Sequence, residues 1–244
     1  MTQHSLDGRL DTEVTWFERR NVMKAAAAWM VMGGMSAAVA QQRSNVVQLT
    51  GDALVNGSRL MPSQTIQTGD EIQTGPGSNL VFVMGNSSFL VRQNSRLTVE
   101  RGATLNTVSL LRLVTGAVAS VWNKGGSKSI ITPTLTAGIR GTGVYAEVMP
   151  ASGGRTYFCN CYGTVEIDVG GSQKLSEAQY HQAFWAEPEP NKDGRRLTSA
   201  GLINHTDAEQ EFLAGLINQR TTWQITGRKA NADGSGAKEY GPTS

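Results

Sequence analysis

Two things are scarce in this sequence: long apolar runs and an excess of either charge. The uncharged stretch Ala25–Ala40 is rich in Ala and Gly, and at sixteen residues it falls short of the ~20 apolar residues that a membrane-spanning helix needs. Lys and Arg total 22 against 20 Asp and Glu, a formal net charge of +2, so the basic footprint of a nucleic-acid binder is missing. Two cysteines and three histidines exclude a multi-zinc or disulfide-dense scaffold and leave room for one small metal or thiol site. No phosphate-binding loop, zinc-protease helix or nucleophile elbow is present. Gly138–Gly143 is glycine-rich, but it leads into the strand-like Val144–Val148 rather than a helix, so it reads as a turn.

What is there begins with an export signal. Ala38-Val39-Ala40 closes the apolar stretch with small residues where a signal peptidase accepts them. Arg19-Arg20-Asn21-Val22-Met23-Lys24 stands just upstream and resembles the twin-arginine pattern, with Glu18 where Ser or Thr is commoner. A start at Met23 would make the same stretch a general secretory signal. Both routes end the signal peptide at Ala40, over residues 1–40 by the first and from Met23 by the second, place the mature chain in the periplasm, and leave no stable membrane span after cleavage.

Beyond Gln41 turn signals recur: Asn56-Gly57, Thr68-Gly69-Asp70, Gly85-Asn86, Gly125-Gly126 and Gly153-Gly154. Asn and Gly tolerate the positive φ of tight hairpins, so the residues flanking Asn56-Gly57 form one. Short β-branched and aromatic runs lie between the turns, among them Leu80–Met84, Leu110–Trp122 and Val165–Val169. They predict an all-β domain, a twisted stack of short hairpins that is solenoid-like or sandwich-like. Residues 41–175 form this domain and 176–226 a C-terminal extension. In the extension Phe212, Leu213, Leu216 and Ile217 recur at helical spacing behind the capping box Thr206-Asp207-Ala208-Glu209, predicting one amphipathic helix over about 207–219. Residues 227–244 lack an apolar period and read as a disordered tail.

Several blocks in order resemble a FecR-like domain: Gly69–Ser78, Asn94–Leu97, Leu111–Val118, Thr132–Thr134 running to Gly138–Thr142, and Gly163–Ile167. The resemblance implies a periplasmic all-β module of stacked hairpins. Members of that family in iron uptake pass the state of an outer-membrane receptor to a sigma factor through a membrane helix and a cytoplasmic domain. Only about two dozen residues precede the apolar stretch in this chain, so anti-sigma activity is not carried over.

The sharpest local feature is Cys159-Asn160-Cys161. Residues two apart on a strand share a face, so both thiols point the same way. Their Cα atoms would sit about 6.6 Å apart, which is close to the limit for a disulfide. Parallel thiolates are half of a soft-metal site. His181 and His205, the histidines that remain after signal removal, supply candidates for the other half, for Zn or Cu. Three alternatives stay open. The cysteines are small buried hydrophobes sharing a face with Val165, Ile167 and Val169 if the strand runs on without a bulge; they form a strained or redox-active disulfide; or His181 is a surface residue and His205 only bonds the turn. The aromatics Tyr157, Phe158, Tyr162, Phe184 and Trp185 are core residues or a platform for glycan or peptide.

These observations describe a non-enzymatic exported module without a cofactor by default, which binds a periplasmic protein or envelope ligand, in signalling among other roles. The alternative is a metal- or redox-sensing periplasmic protein built on Cys159, Cys161, His181 and His205. A cysteine hydrolase is the weakest reading, because no Cys/His signature supports it.

Overall fold

Alternation of apolar and polar residues resolves into strands divided between two facing sheets. The structure, a computed structural model, describes residues 44–102, 108–229 and 238–239. The export segment assigned to residues 1–40 and most of the tail after 229 lie outside the described residues. Chain order begins with β1 (Val46–Thr50), β2 (Ala53–Val55), β3 (Ser58–Arg59), β4 (Glu71–Thr74), β5 (Asn79–Met84), β6 (Ser87–Val91), β7 (Arg96–Arg101) and β8 (Val108–Trp122). It continues through β9 (Lys128–Ile131), β10 (Thr136–Ile139), β11 (Gly143–Met149), β12 (Arg155–Val169), β13 (Ser172–Ala178), β14 (Gln182–Ala186) and β15 (Leu197–Ala200). Two helices follow, α1 (Asp207–Leu216) and α2 (Thr222–Thr226), then the short strands β16 (Arg228–Lys229) and β17 (Lys238–Glu239).

One sheet, here the capped sheet, has the order β1-β5-β6-β8-β11-β12-β14-β15. The facing sheet has the order β3-β2-β4-β7-β8-β9-β10-β12-β13, and its β8–β9 pair is parallel. The long strands β8 and β12 belong to both sheets. Each crosses at a glycine in the left-handed region, Gly116 at φ 75° and Gly163 at φ 94°. A Cβ at Gly116 would stand 2.5 Å from Ser95 Cα, and one at Gly163 would stand 2.8 Å from the Gly141 carbonyl oxygen. Only glycine therefore lets the chain bend between sheets at these points.

Register sorts the side chains onto the two faces of the capped sheet. Leu80, Val91, Val118, Ala146, Phe158 and Phe184 form one row of paired residues. This row fills the core between the sheets, where it meets Ile72, Leu97, Leu113, Ile139 and Ile167 from the facing sheet. One residue along each strand, the row Val81, Leu90, Ala119, Tyr145, Cys159 and Ala183 points to the opposite face, as a period of two demands. That outer face carries a second core closed by Phe212, Leu213 and Ala214 of α1 and Trp223 of α2. The helices and the linker before them thus cap this sheet. The outer face of the facing sheet is polar, with ion pairs Glu71–Arg96, Glu100–Arg112 and Arg140–Glu166 across neighbouring strands.

The all-β class and the C-terminal helix are as the sequence predicts, in the sandwich-like form. Asn56 (φ 51°) and Gly57 (φ 77°) turn the β2–β3 hairpin. Thr206 and Glu209 form the capping box of α1 in both directions. Four details differ. The sheets continue past residue 175 into the segment read as the C-terminal extension, since β14 and β15 extend the capped sheet. The helix ends at Leu216 instead of 219, because Asn218 turns left-handed (φ 55°) and the Gln219 N–H bonds the Ala214 carbonyl. A second capping box, Thr221 with Gln224, starts the unforeseen α2. Within the segment read as a disordered tail, Arg228–Lys229 pairs with Lys238–Glu239, and Lys229 is anchored by an ion pair to Asp207. Among the described residues no helix is long and apolar enough to cross a membrane.

Candidate metal centre

Cys159 and Cys161 lie on β12 where it runs through the middle of the capped sheet. Both are free thiols, fully buried, and they join the outer core beneath the helices. They do not share a face with Val165, Ile167 and Val169, which pack between the sheets. The register against β11 slips by one residue between Tyr162 and Asn160, and Gly163 then carries the strand into the other sheet. This bulge and crossing reverse the parity that a regular strand would keep. Phe158 and Phe184 join the inter-sheet core and Tyr157 and Tyr162 the outer core, while Trp185 is half-buried beneath the Arg155 guanidinium.

His181 sits in the turn before β14, and it is buried rather than on the surface. Its backbone is left-handed at φ 29°, and its N–H donates to the Cys161 carbonyl at 2.8 Å. A non-glycine residue in that region costs on the order of 1–3 kcal/mol and is retained where the surroundings fix it. His205 precedes the Thr206 cap and is wholly buried. Aromatic rings hold both imidazoles in place. Tyr145 stacks on His205 with centroids 4.7 Å apart, and Trp223 stacks on His181 at 5.3 Å.

The four side chains converge, with one donor atom from each lying within 4.8 Å of all the others. Sulfur to sulfur is 3.9 Å, Cys159 Sγ to His181 Nδ1 is 3.4 Å, and His181 Nδ1 to His205 Nε2 is 3.2 Å. A tetrahedral zinc ion with bonds of about 2.3 Å to sulfur and about 2.0 Å to nitrogen would set these atoms about 3.8, about 3.5 and about 3.3 Å apart. The three edges therefore match the spacing of such a ligand set.

The far nitrogens of the rings decide which atoms face inward. His205 Nδ1 lies 2.7 Å from the Ile203 carbonyl, which can only accept, so this nitrogen carries the proton and Nε2 presents a lone pair. His181 Nε2 lies 2.9 Å from Asp207 Oδ1, so it donates to the carboxylate and Nδ1 presents its lone pair. Two ring lone pairs and two thiols thus lie within 4.8 Å of one another, and an electropositive centre among them would satisfy them all. Tethering each ligating histidine by its other N–H is how proteins orient metal-bound imidazoles. Asp207 is itself held by the Tyr180 hydroxyl and Lys229.

Without a metal, a proton takes that place. Burial pushes the Cys159 thiol up, but the Cys161 hydrogen bond and the imidazoles of His205 and His181 outweigh it and hold Cys159 well below the usual thiol range. Burial, followed by the neighbouring Cys159, pushes Cys161 well above it. For His181 burial works downward, while Cys159 and Asp207 lift it to about 9. A thiolate beside an imidazolium is the metal-free counterpart of two thiolates around a cation.

Asp207, Tyr145, Tyr180 and Trp223 escaped sequence reasoning. Asp207 is visible there only as the residue after an N-cap, and its reach to His181 exists only once α1 docks. Gly138–Gly143 runs from the end of β10 to the start of β11, and its turn lies at residues 140–142, with Gly141 at φ 73°.

No family model and no curated protein matches this chain. Among solved structures, two crystal structures of proposed anti-sigma factors from Parabacteroides distasonis are similar to it. One has 13% identity and a TM-score of 0.46 over 62% of this chain and 65% of that one. The other has 12% identity and a TM-score of 0.44 over 60% and 64%. The chain therefore spans slightly less than two thirds of the length of these structures.

Proposed function

We propose that this protein is a non-enzymatic, FecR-like periplasmic module that holds one zinc-class metal ion at Cys159, Cys161, His181 and His205, and that metal occupancy is the state it senses. The observation that carries this reading is the convergence of four buried donors within 4.8 Å of one another, three of their edges at the spacing of a zinc ligand set, with both histidines tethered from behind. A set of four protein ligands leaves no open position for substrate, which is the pattern of structural rather than catalytic zinc. Two thiolates and a dication are neutral together. Asp207 is neutralised by Lys229, so the assembly adds no net charge to a place that water does not reach. A monovalent ion with both thiolates would leave one negative charge there, at a cost of several kcal/mol.

Two sequence features support the exported, FecR-like part of the reading: the signal-like Arg19–Ala40 and the ordered blocks from Gly69 to Ile167. In the folded chain these blocks fall mostly on turns and strands of the facing sheet and on the two crossings, and the metal ligands lie outside them. The partner in this reading is a periplasmic protein or an envelope ligand. Elemental analysis of protein exported and purified without chelator or affinity-column metal tests the proposal. One ion per chain, lost in Cys161→Ser and His181→Ala, is the expected result.

A further inference from the structure

We infer that the C-terminal cap, residues 201–227, is the door through which the metal enters and leaves, and that the buried Arg92–Glu209 ion pair is its latch. The inference rests on the metal centre proposed above and concerns its regulation. All four ligands are buried, so an ion cannot exchange with solvent until something moves. The sheet cannot easily be that element. In the stretch carrying Cys159, β12 is hydrogen-bonded to β11 on one side and β14 on the other, and behind it lies the core between the sheets. Opening the site there means breaking ladders or the core itself.

On the outer side the two movable ligands depend on the cap. His205 is part of it. His181 is held from it by Asp207 and Trp223. Lifting the cap would therefore uncover the ion and withdraw ligands in one motion, so occupancy and cap position are linked in both directions. Entry and exit by local opening of a helical segment is an ordinary way for a protein to reach a closed site.

The latch is the polar contact that holds α1 down away from the metal. Glu209 is 1% exposed and Arg92 4%. One Glu209 oxygen pairs with Arg92 while the other accepts the Thr206 N–H of the capping box. The residue that completes the capping box of α1 is thus also the one that ties the helix to Arg92, four positions from His205. Ser88 Oγ to the Leu213 carbonyl and Gln210 Nε2 to the Val144 carbonyl are neutral supports. Removing one member of a buried ion pair leaves the other charge uncompensated and is strongly unfavourable, which shifts the closed cap toward the open one without touching a ligand.

The test uses the full mature chain loaded with one zinc ion and follows transfer to a chromogenic chelator. If the cap must open first, the release rate rises with chelator and then reaches a plateau set by opening. Glu209→Gln should raise that plateau at least about tenfold while zinc content stays at one per chain. Arg92→Met/Glu209→Leu, which restores a neutral buried contact, should bring it back to within a few-fold of the parent. A release rate proportional to chelator at every concentration overturns the door in the unaltered chain, whether or not the variants fold. A plateau unmoved in Glu209→Gln overturns the latch. A chain that takes up no zinc overturns the metal centre and the door with it, whereas one that binds zinc but yields it in proportion to chelator overturns the door alone.

Discussion

Replacing Asp207 by Asn probes the centre without altering a ligand. In the folded protein this carboxylate accepts from His181 Nε2 at 2.9 Å and from the Tyr180 hydroxyl at 3.2 Å, and it pairs with Lys229. The amide keeps the shape and one acceptor oxygen. It loses the charge that strengthens the His181 bond and makes that imidazole a better electron donor. Changes of this kind behind a metal-bound histidine cost about 10–100-fold in metal affinity, or about 1.4–2.8 kcal/mol. The metal-free protein loses the first-turn charge on the helix dipole, about 0.3–1 kcal/mol, together with the partner of Lys229 and His181; the metal-bound protein should lose these and the affinity difference besides. Competition against a chelator of known affinity gives the first number, and chemical denaturation with and without metal gives the second. Zinc affinity within twofold of the parent, or equal destabilisation of both forms, would refute the assignment of Asp207 to the metal site. A shift of the visible spectrum of the cobalt-substituted protein would show that the ligand field itself has changed, which a purely structural role would not produce.

Further outcomes are expected elsewhere. Thr206→Ala should lower stability by about 1 kcal/mol through loss of its bond from the Glu209 amide, read from a denaturation midpoint. Gly141→Val should cost more, because φ is 73° and the new Cβ would lie 2.9 Å from Lys124 Cα and 2.4 Å from its Cγ; an unchanged melting curve would contradict the turn geometry. In the metal-free chain His181 is raised to about 9, so its contribution is complete below the ordinary 6.5 and is lost as pH rises through about 9. Cys159 is lowered, so its contribution grows as pH rises toward its ordinary value and opposes that loss. Above about pH 9 the groups pushed up by burial, Cys161, Tyr157 and Tyr162, must give up protons that the fold retains. Denaturation at a series of pH values should therefore show stability declining above about pH 9; a rise there would contradict the burial of these groups. Zinc affinity should fall on acidification, since thiolates and neutral imidazoles are the binding forms, which a chelator competition at two pH values checks.

Some of this architecture can be read from local chemistry alone. The Asn56-Gly57 hairpin, the Thr206–Glu209 box and the shared face of Cys159 and Cys161 each depend on residues within a few positions of one another. His181 and His205 stood out because few histidines exist to choose from, not because spacing placed them near the thiols. What could not be read depends on tertiary register. The bulge at Cys161 and the crossing at Gly163 put the cysteines and Val165 on different faces, and no local signal fixes where a strand changes sheets. The parallel β8–β9 pair is non-local in the same way. Asp207 acts on His181 from 26 residues away, so its role waits on the docking of α1, and the helix α2 is too short to leave a periodic trace.

The most direct measurement is metal content together with thiol reactivity on the full chain, exported and purified without chelator or affinity-column metal. The account predicts one zinc-class ion per chain and two thiols that stay unreactive until the metal is removed or the chain unfolds. It also predicts that cobalt(II) added to the metal-free protein gives the intense bands of tetrahedral thiolate coordination. A chain with no bound metal, whose cobalt titration gives no such bands and whose two thiols react only on unfolding, would contradict it and leave Cys159 and Cys161 as buried packing residues.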